Sequence, residues 1–531
     1  MGAKRLVAHV KYLFDLFKAT HLSAESDKLL IRLEIEIDLG RICKKTYETD
    51  ERSFLLKALF RILLHFNAQM DPLRNSFNPN KHLKEEFVSN LTGSSILEIV
   101  SLSTIVPALI VLRHYVCAKG LYGPLHAKKI TSKKEKDGTI DGRSWRIYMS
   151  TLVMDFLFIV LPTLLFLTVL AEWTNICAIC LILLLLFCIG DKRSGSYSER
   201  GSDLAYSVRA NVSAYRVYMM IVTCLCILAV DFTIYPRRYA KTETYGTGLM
   251  DLGVGSFVLA NSLVSRQARN VSSMKWKTVL QSTSPMIILG VGRLIFTSGV
   301  DYQVHVGEYG VHWNFFFTLA GVSLLTSLIN IHSRYCGILG LSILIGYQLW
   351  LSSGLNEFLL SNERANNLFS QNKEGVVSIF GYWGMYLVGV QLGNFLFFGN
   401  NRRTRMRVWI LAVIFWLSTI ILDRHVERVS RRMCNLTYVA FVLAQNFQVL
   451  AILVLSDFIP GQKTSVIEEA FDRNLLGSFL LANIMTGLIN MSVDTISTSS
   501  ITALAILVGY AFILSILSGF AAFSGIKLKF W

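Results

Sequence analysis

Charge is scarce in this sequence. Of 531 residues, 17% are Asp, Glu, Lys or Arg, where an ordinary soluble domain carries about a quarter. Proline, at 8 residues, and glycine, at 36, are too few for a collagen-like or low-complexity chain. Nine cysteines, at 43, 117, 177, 180, 188, 224, 226, 336 and 434, are too scattered for a disulfide framework. Acidic residues are scarcer than basic ones, 36 against 52, giving a formal charge of +16. What abounds is apolar: 53% hydrophobic, 12% aromatic, with a mean hydropathy of +0.47. That content excludes disorder. A soluble chain of this length would form roughly three or four domains, and the composition cannot cover their surfaces. Binding of DNA conflicts with basic residues that would share their surface with long apolar runs. A polytopic membrane protein remains, with its positive charge in the loops.

A bilayer core about 30 Å thick takes about 20 apolar helical residues per crossing. Such runs fall at 94–113, 147–171, 174–190, 213–232, 247–264, 278–300, 313–331, 336–352, 376–398, 408–423, 436–456, 474–492 and 501–524. The expected fold is therefore all-α, with about 13 transmembrane helices; the runs at 247–264 and 408–423 are the weakest. Loops after odd-numbered spans hold about 25 Lys and Arg and the alternate loops about 9, which puts the C-terminus in the cytosol and the N-terminus in the lumen. The stretch 128–143 and the group Arg402, Arg403, Arg405 and Arg407 dominate that count. Segment 457–473 departs from it, being slightly acidic on the cytosolic side. Residues 1–69 are charged, of mixed sign, and contain no membrane-length run; SFLLKALFRILLHF (53–66) suits an interfacial helix or packing on the remainder. Met70 opens a polar stretch and is a plausible alternative start, which sets 1–69 apart from a domain at 70–531.

Ionisable groups at membrane depth are functional candidates. Asp231 directly follows the apolar run VTCLCILAV, Pro236 ends the helix, and Arg237, Arg238, Lys241 and Glu243 follow. Taken alone, an Asp beside two Arg residues is an interfacial anchor. Three cations in a lumenal loop nevertheless break the positive-inside rule, and a phosphorylated lipid headgroup would compensate them. A second group is His312, Trp313 and Asn314, at a lumenal helix entry. A third is Asn474, Asn483 and Asn490 in an apolar helix, where packing by hydrogen bonds is the plain reading. Glu98 and Asp155 are each expected to pair with Arg293 or to line a cavity. Gly381, Gly384, Gly389 and Gly393 suggest close helix packing. N-x-[ST] acceptors with lumenal clearance are Asn90 and Asn435. The CxxC at Cys177 and Cys180 lies in an apolar run without a second pair, so no metal is expected.

KEEFVSNLTGSSILEI (84–99), DFTIYPRRYAKTETYGTGLMDLGVGSFV (231–258), YGVHWNFFFTL (309–319), NKEGVVSIFGYWGMYLVG (372–389) and NLLGSFLLANIMTGLINMS (474–492) resemble the glucosaminyl-phosphatidylinositol acyltransferases of glycosylphosphatidylinositol-anchor assembly. The resemblance covers about 76–531 and leaves out 1–69. It implies a multi-pass endoplasmic-reticulum enzyme with about 13 spans and a lumenal active face. It also implies transfer of a fatty acyl group, usually palmitoyl, from acyl-CoA to the inositol 2-hydroxyl of glucosaminyl-phosphatidylinositol. No cofactor beyond acyl-CoA as co-substrate is implied, and the sequence is silent on oligomeric state. Asp231 and Lys241 match the family's acidic and basic positions, Asp231 as base and Lys241 as partner of the oxyanion or substrate phosphate. Arg237 and Arg238 suit the inositol phosphate, and His312 is the reserve base. Glu243, Trp313, Asn314 and Asn483 complete the expected substrate-binding set. The rival reading is a transporter or lipid scramblase with buried charges along a pathway, although an odd span count without repeated hydropathy weighs against inverted repeats. A non-catalytic scaffold is a third. The charge bias predicts that a C-terminal tag is reached by antibody once the plasma membrane alone is permeabilised, and an N-terminal tag only after internal membranes are opened.

Overall fold

A computed structural model describes residues 86–87, 89–118, 142–192, 202–271, 276–298, 306–329, 331–361, 363–398, 401–459 and 464–526. The expectations for 1–69, for Met70, and for most of the basic stretch 128–143 lie outside the described residues. The described residues fall almost wholly in one compact unit, Leu83–Ile295 with Gln303–Trp531. The contacts below belong to it.

Hydrocarbon offers no partner to backbone N–H and C=O groups, so apolar runs close their hydrogen bonds internally as helices. In chain order these are α1 Ile96–Ala118, α2 Gly142–Asp155, α3 Leu161–Phe166, α4 Thr174–Lys192, α5 Ser202–Ala229 and α6 Leu252–Leu263. Then come α7 Trp276–Ser298, α8 Val306–Tyr309, α9 Phe315–Ile329, α10 Ser333–Trp350, α11 Asn356–Leu360 and α12 Leu368–Gln371. The last are α13 Lys373–Phe398, α14 Asn401–His425, α15 Leu436–Val454, α16 Val466–Arg473, α17 Leu475–Ser492 and α18 Ser500–Phe523. A π-helical turn, Phe156–Val160, joins α2 to α3 just after buried Asp155 and just before Pro162. Extended pairing among the described residues is a single parallel bridge, Gly93 to Thr247.

The molecule is thus an all-α polytopic membrane protein, and among the described residues ten helical segments are long and apolar enough to cross a bilayer. The fifth, sixth and seventh expected spans are shorter apolar helices, Leu252–Leu263, Val279–Ile295 and Phe315–Ile329. At 1.5 Å per residue, α6 rises only about 18 Å, less than the ~30 Å hydrocarbon thickness. The weak run at 408–423 belongs instead to a helix of 25 residues.

α15 forms the axis: 89% of its apolar window is buried, against 17% for α14 and for α17. Polar side chains on α15 tie its neighbours in. Tyr215 on α5 donates to Asn446 Oδ1 at 2.8 Å, and Asn446 Nδ2 donates to Ser256 on α6 at 2.8 Å. Gln448 donates to Thr104 on α1 at 2.8 Å and accepts from Trp416 on α14 at 2.9 Å.

At the end bearing the C-terminus, Arg113 meets Asp155 at 2.8 Å, and the second Asp155 oxygen accepts the N–H of Val466 at the start of α16. His114 lies 3.4 Å from Glu468, and Arg216 lies 3.8 Å from Asp472. Within 457–473, Glu468 faces His114, Asp472 faces Arg216, Glu469 pairs with Arg473 and Asp457 accepts from Asn211. Asp155 belongs to Arg113, and Glu98 belongs to Arg238 (2.8 Å), which corrects the expected pairing of either with Arg293; the pairing follows helix ends that share one depth, which sequence separation does not disclose.

The glycines of α13 pack as expected. A Cβ on Gly389 would stand 1.9 Å from Ser262 Oγ, and one on Gly393 would stand 2.4 Å from the Leu263 carbonyl oxygen, both on α6. Gly389→Leu or Gly393→Val is therefore expected to cost about 1–3 kcal/mol of stability. Melting of the detergent-extracted protein reads this, with Gly487→Ala, whose Cβ meets nothing within 4 Å, as the variant that melts no lower than the parent.

Candidate functional site

The segment between α5 and α6 is almost wholly non-helical, and its hydrogen bonds go elsewhere. Pro236 has extended ψ (125°) and turns the chain. Arg237 then folds back over the end of α5, where carbonyls lack helical partners. Its Nη2 donates to the carbonyls of Val230 (2.7 Å), Phe232 (3.2 Å) and Tyr235 (3.2 Å), and its guanidinium lies 3.9 Å from the Phe87 ring centre. Burial pulls its pKa down to about 10 against the opposing influence of Tyr235 and Asp231. The rest of the segment is sewn to other loops: Ser94 N–H to Thr247 O (2.7 Å), Glu243 N–H to Leu91 O (3.1 Å), Gly246 N–H to Val429 O (2.9 Å) and Ser430 Oγ to Thr244 O (2.6 Å). Gly93 and Gly246 are required at this crossing. Both have positive φ, and a Cβ would stand 2.4 Å from Thr247 O or 2.2 Å from Thr92 O.

Charges meet in layers behind this segment. Arg238 bridges Glu98 (2.8 Å) and Glu172 (2.7 Å), and Tyr239 donates to the same Glu98 oxygen at 2.8 Å. Lys241 Nζ donates to both Glu308 oxygens at 2.9 Å. Arg431 reaches Glu308 through Nη1 and Asp251 through Nε, each at 2.8 Å. Asp251 also accepts from Thr242 N–H (3.1 Å), Thr242 Oγ1 (2.9 Å) and Gly248 N–H (2.9 Å). Burial opposes ionisation of Glu308, but Lys241, Arg431 and Arg293 outweigh it and hold its carboxyl below the usual range. For Lys241, burial is the largest influence and pulls its pKa down, with Glu308 opposing. Its side chain nonetheless keeps 38% of its accessibility, against 4% for Arg431. Lys241 is the accessible member of an otherwise enclosed network.

A second network holds the α8 turn and His312. Glu374 pairs with Arg364 (2.6 Å) and Arg432 (3.1 Å), while Arg364 also donates to the Gln371 carbonyl at 3.0 Å. Lys373 donates to the carbonyls of Phe358 (2.6 Å) and Ser361 (2.8 Å) and fastens α11. His312 N–H donates to Asn372 Oδ1 at 2.7 Å. Burial lowers the pKa of the His312 ring, with Gln371 opposing.

The expected site residues therefore share one end of the bundle, with different local duties. Asp231, just past α5, accepts from Asn490 Nδ2 on α17 at 2.8 Å. Glu243 is exposed and accepts the Asn90 N–H at 3.0 Å. Trp313 donates to Thr318 at 3.0 Å and packs on Gly375. Asn314 donates to Gly290 O at 2.9 Å and accepts the Phe316 N–H that opens α9. Asn483 is exposed and donates to Phe479 O one turn back on α17, apart from the charge network. The inference that a headgroup must compensate Arg238 and Lys241 is corrected, because carboxylates of this chain already do so. Asn435 is fully buried and caps α15 by accepting the Tyr438 N–H, so it is no accessible glycan acceptor; Asn90 is exposed. Sequence reasoning passed over Glu308, Asp251, Arg364, Glu374, Arg431 and Arg432. The charge rule applied to Lys241 would have flagged the cations among them, since they share the cation-poor side.

Comparison with known proteins gives a consistent picture. The GWT1 family model matches residues 80–521. An uncharacterized protein of Arabidopsis thaliana is 56% identical over 412 residues, covering 76% of this chain and 94% of its own length. The glucosaminyl-phosphatidylinositol-acyltransferase PIGW of Mus musculus is 32% identical over 524 residues, covering 85% of this chain and 99% of its own. The GPI-anchored wall transfer protein 1 of Candida albicans is 34% identical over 485 residues, covering 81% and 95%.

Arg431→Met strands buried Asp251, leaves Glu308 to Lys241 alone, and is expected to destabilise the protein by about 3–5 kcal/mol. Adding Asp251→Asn should recover part of the loss, because the two changes remove one pair. Melting temperature in detergent measures both.

Proposed function

The chain belongs to the GWT1 family, and from that footing we propose that it is a membrane O-acyltransferase of glycosylphosphatidylinositol-anchor biosynthesis. In this reading a fatty acyl group, palmitoyl in the first instance, moves from acyl-CoA to an inositol hydroxyl of glucosaminyl-phosphatidylinositol in the endoplasmic reticulum. The observation that carries it is the mouse glucosaminyl-phosphatidylinositol-acyltransferase, aligned over 99% of its own length and 85% of this chain. Support from the geometry is the gathering of a carboxylate, an accessible ammonium and an imidazole at one end of an apolar bundle, where an amphipathic substrate keeps its chains in lipid and its headgroup in the polar layer.

Asp231 is the base that takes the proton of the inositol hydroxyl as its oxygen attacks the thioester carbonyl. The accessible Lys241 ammonium holds the oxyanion that forms on that carbonyl, or the substrate phosphate beside it. As the tetrahedral intermediate collapses the C–S bond breaks, CoA leaves as thiolate and is protonated, and the ester remains on inositol. His312, whose pKa is lowered by burial, is available as an imidazole for the reserve role of base. Arg237 and Arg238 contribute by holding the loop that carries Asp231 and Lys241, Arg237 through backbone carbonyls and Arg238 through Glu98 and Glu172.

The test uses microsomes from cells lacking endogenous acyltransferase, expressing the full chain and given labelled acyl-CoA with glucosaminyl-phosphatidylinositol. Acylated lipid is expected, and Asp231→Asn should cut its rate by about 10²–10⁴-fold at equal protein level. A transporter or scaffold would give no product, and a fully active Asp231→Asn would remove the base assignment.

A further inference from the structure

α17 is an apolar helix with two asparagines seven residues apart, Asn483 and Asn490, and therefore on one face two turns apart. They are used differently. Asn483 satisfies itself on the Phe479 carbonyl at 2.7 Å. Asn490 donates from Nδ2 to Asp231 Oδ2 at 2.8 Å, across 259 residues of sequence. Its Oδ1 is buried and, among the described residues, takes no hydrogen bond. An asparagine placed only to join helices is expected to satisfy both ends of its amide on its neighbours. This one commits its donor to a carboxylate.

Asp231 is the carboxylate so engaged. It stands beyond the last turn of α5, where its N–H reaches Leu228 O at 3.1 Å, so no regular helix fixes the direction of its side chain. Arg237 holds the backbone of that turn through the Val230 carbonyl at 2.7 Å. Asn490 approaches from the other side, on a helix that otherwise packs lightly, with 17% of its apolar window buried. A base works only within a narrow range of approach to its proton, and a hydrogen bond to one carboxylate oxygen restricts rotation about the last side-chain bond.

We propose that Asn490 is a positioning residue for Asp231, fixing the carboxylate from α17 in the geometry that accepts the inositol hydroxyl proton. The inference rests on the acyltransferase reading above. Through the step the amide stays neutral and keeps its N–H on Oδ2. The proton passes from the hydroxyl to Asp231, and no further reactant is needed.

The experiment measures acyl transfer in the same microsomes with wild type, Asn490→Leu, Asp231→Asn and the double variant. Leu matches the shape of Asn and suits an apolar helix, so packing is retained while the donor is lost. For Asn490→Leu, kcat is expected to fall at least about tenfold with KM for glucosaminyl-phosphatidylinositol within about twofold. In the Asp231→Asn background the same change is expected to do nothing further, because the group it orients is gone. Wild-type kcat in Asn490→Leu, or a loss of the same size in both backgrounds, overturns the proposal. Should Asn490→Leu fail to reach the membrane fraction, Asn490→Ala carries the test: it removes the amide donor without adding a charge, so kcat falls if Asn490 positions Asp231 and holds if it does not. Absence of product from wild type is a different result and strikes the acyltransferase reading itself.

Discussion

A charge placed away from water must be met by an opposite charge or by oriented dipoles, and the loop end of this bundle is organised by that requirement. Arg431 is its centre. One guanidinium with 4% accessibility touches Glu308 and Asp251, which belong to two different loops, while its own loop carries the residue that caps α15. Three stretches far apart in sequence are thereby closed on one another without a strand or a disulfide between them. The hydrogen bonds among Ser94, Thr247, Gly246, Val429, Thr244 and Ser430 run along the same seam. Irregular backbone near a bilayer is tolerated only where the protein itself supplies the partners, and here the ion pairs bring those partners within reach.

The opposite end follows the same rule with a different layout. Arg113, His114 and Arg216 terminate or line long helices, and the carboxylates that meet them come from Asp155 and from the short segment before α17. That segment looked anomalous when side was judged by charge sign alone. In three dimensions its acids are taken up by His114, Arg216, Arg473 and Asn211, and acidic residues count little toward the charge bias that orients a chain in a membrane.

Much of the architecture was legible because it depends on short-range properties. Hydropathy over about 20 residues locates the crossings, and glycines at helical spacing announce close contacts such as Gly389 on Ser262. The 230–251 segment also stood out, since Pro236 and three cations break the surrounding pattern. What could not be read was pairing. Nothing near Lys241 in sequence indicates Glu308, 67 residues away, and nothing near Asp231 indicates Asn490. Arg237 was read as suited to the inositol phosphate because its fork matches phosphate geometry; its Nη2 also holds the carbonyls of Val230, Phe232 and Tyr235, a duty fixed by the path of the turn and invisible before that path is known. Asn435 was read as a glycan acceptor by its motif, although burial and its capping bond close that option.

Glu308 is shared by two cations of unequal standing: Arg431, sealed inside, and Lys241, with more than a third of its side chain open. Sharing of this kind makes the lysine detachable. An anion arriving at the open side can draw the ammonium away, and the carboxylate left behind is still held at 2.8 Å by the guanidinium, so no buried charge is abandoned in the exchange. Glu308 thus has one hidden partner, Arg431, and one open to solvent, Lys241. The network's rigidity resides in the hidden arm and its responsiveness in the exposed one.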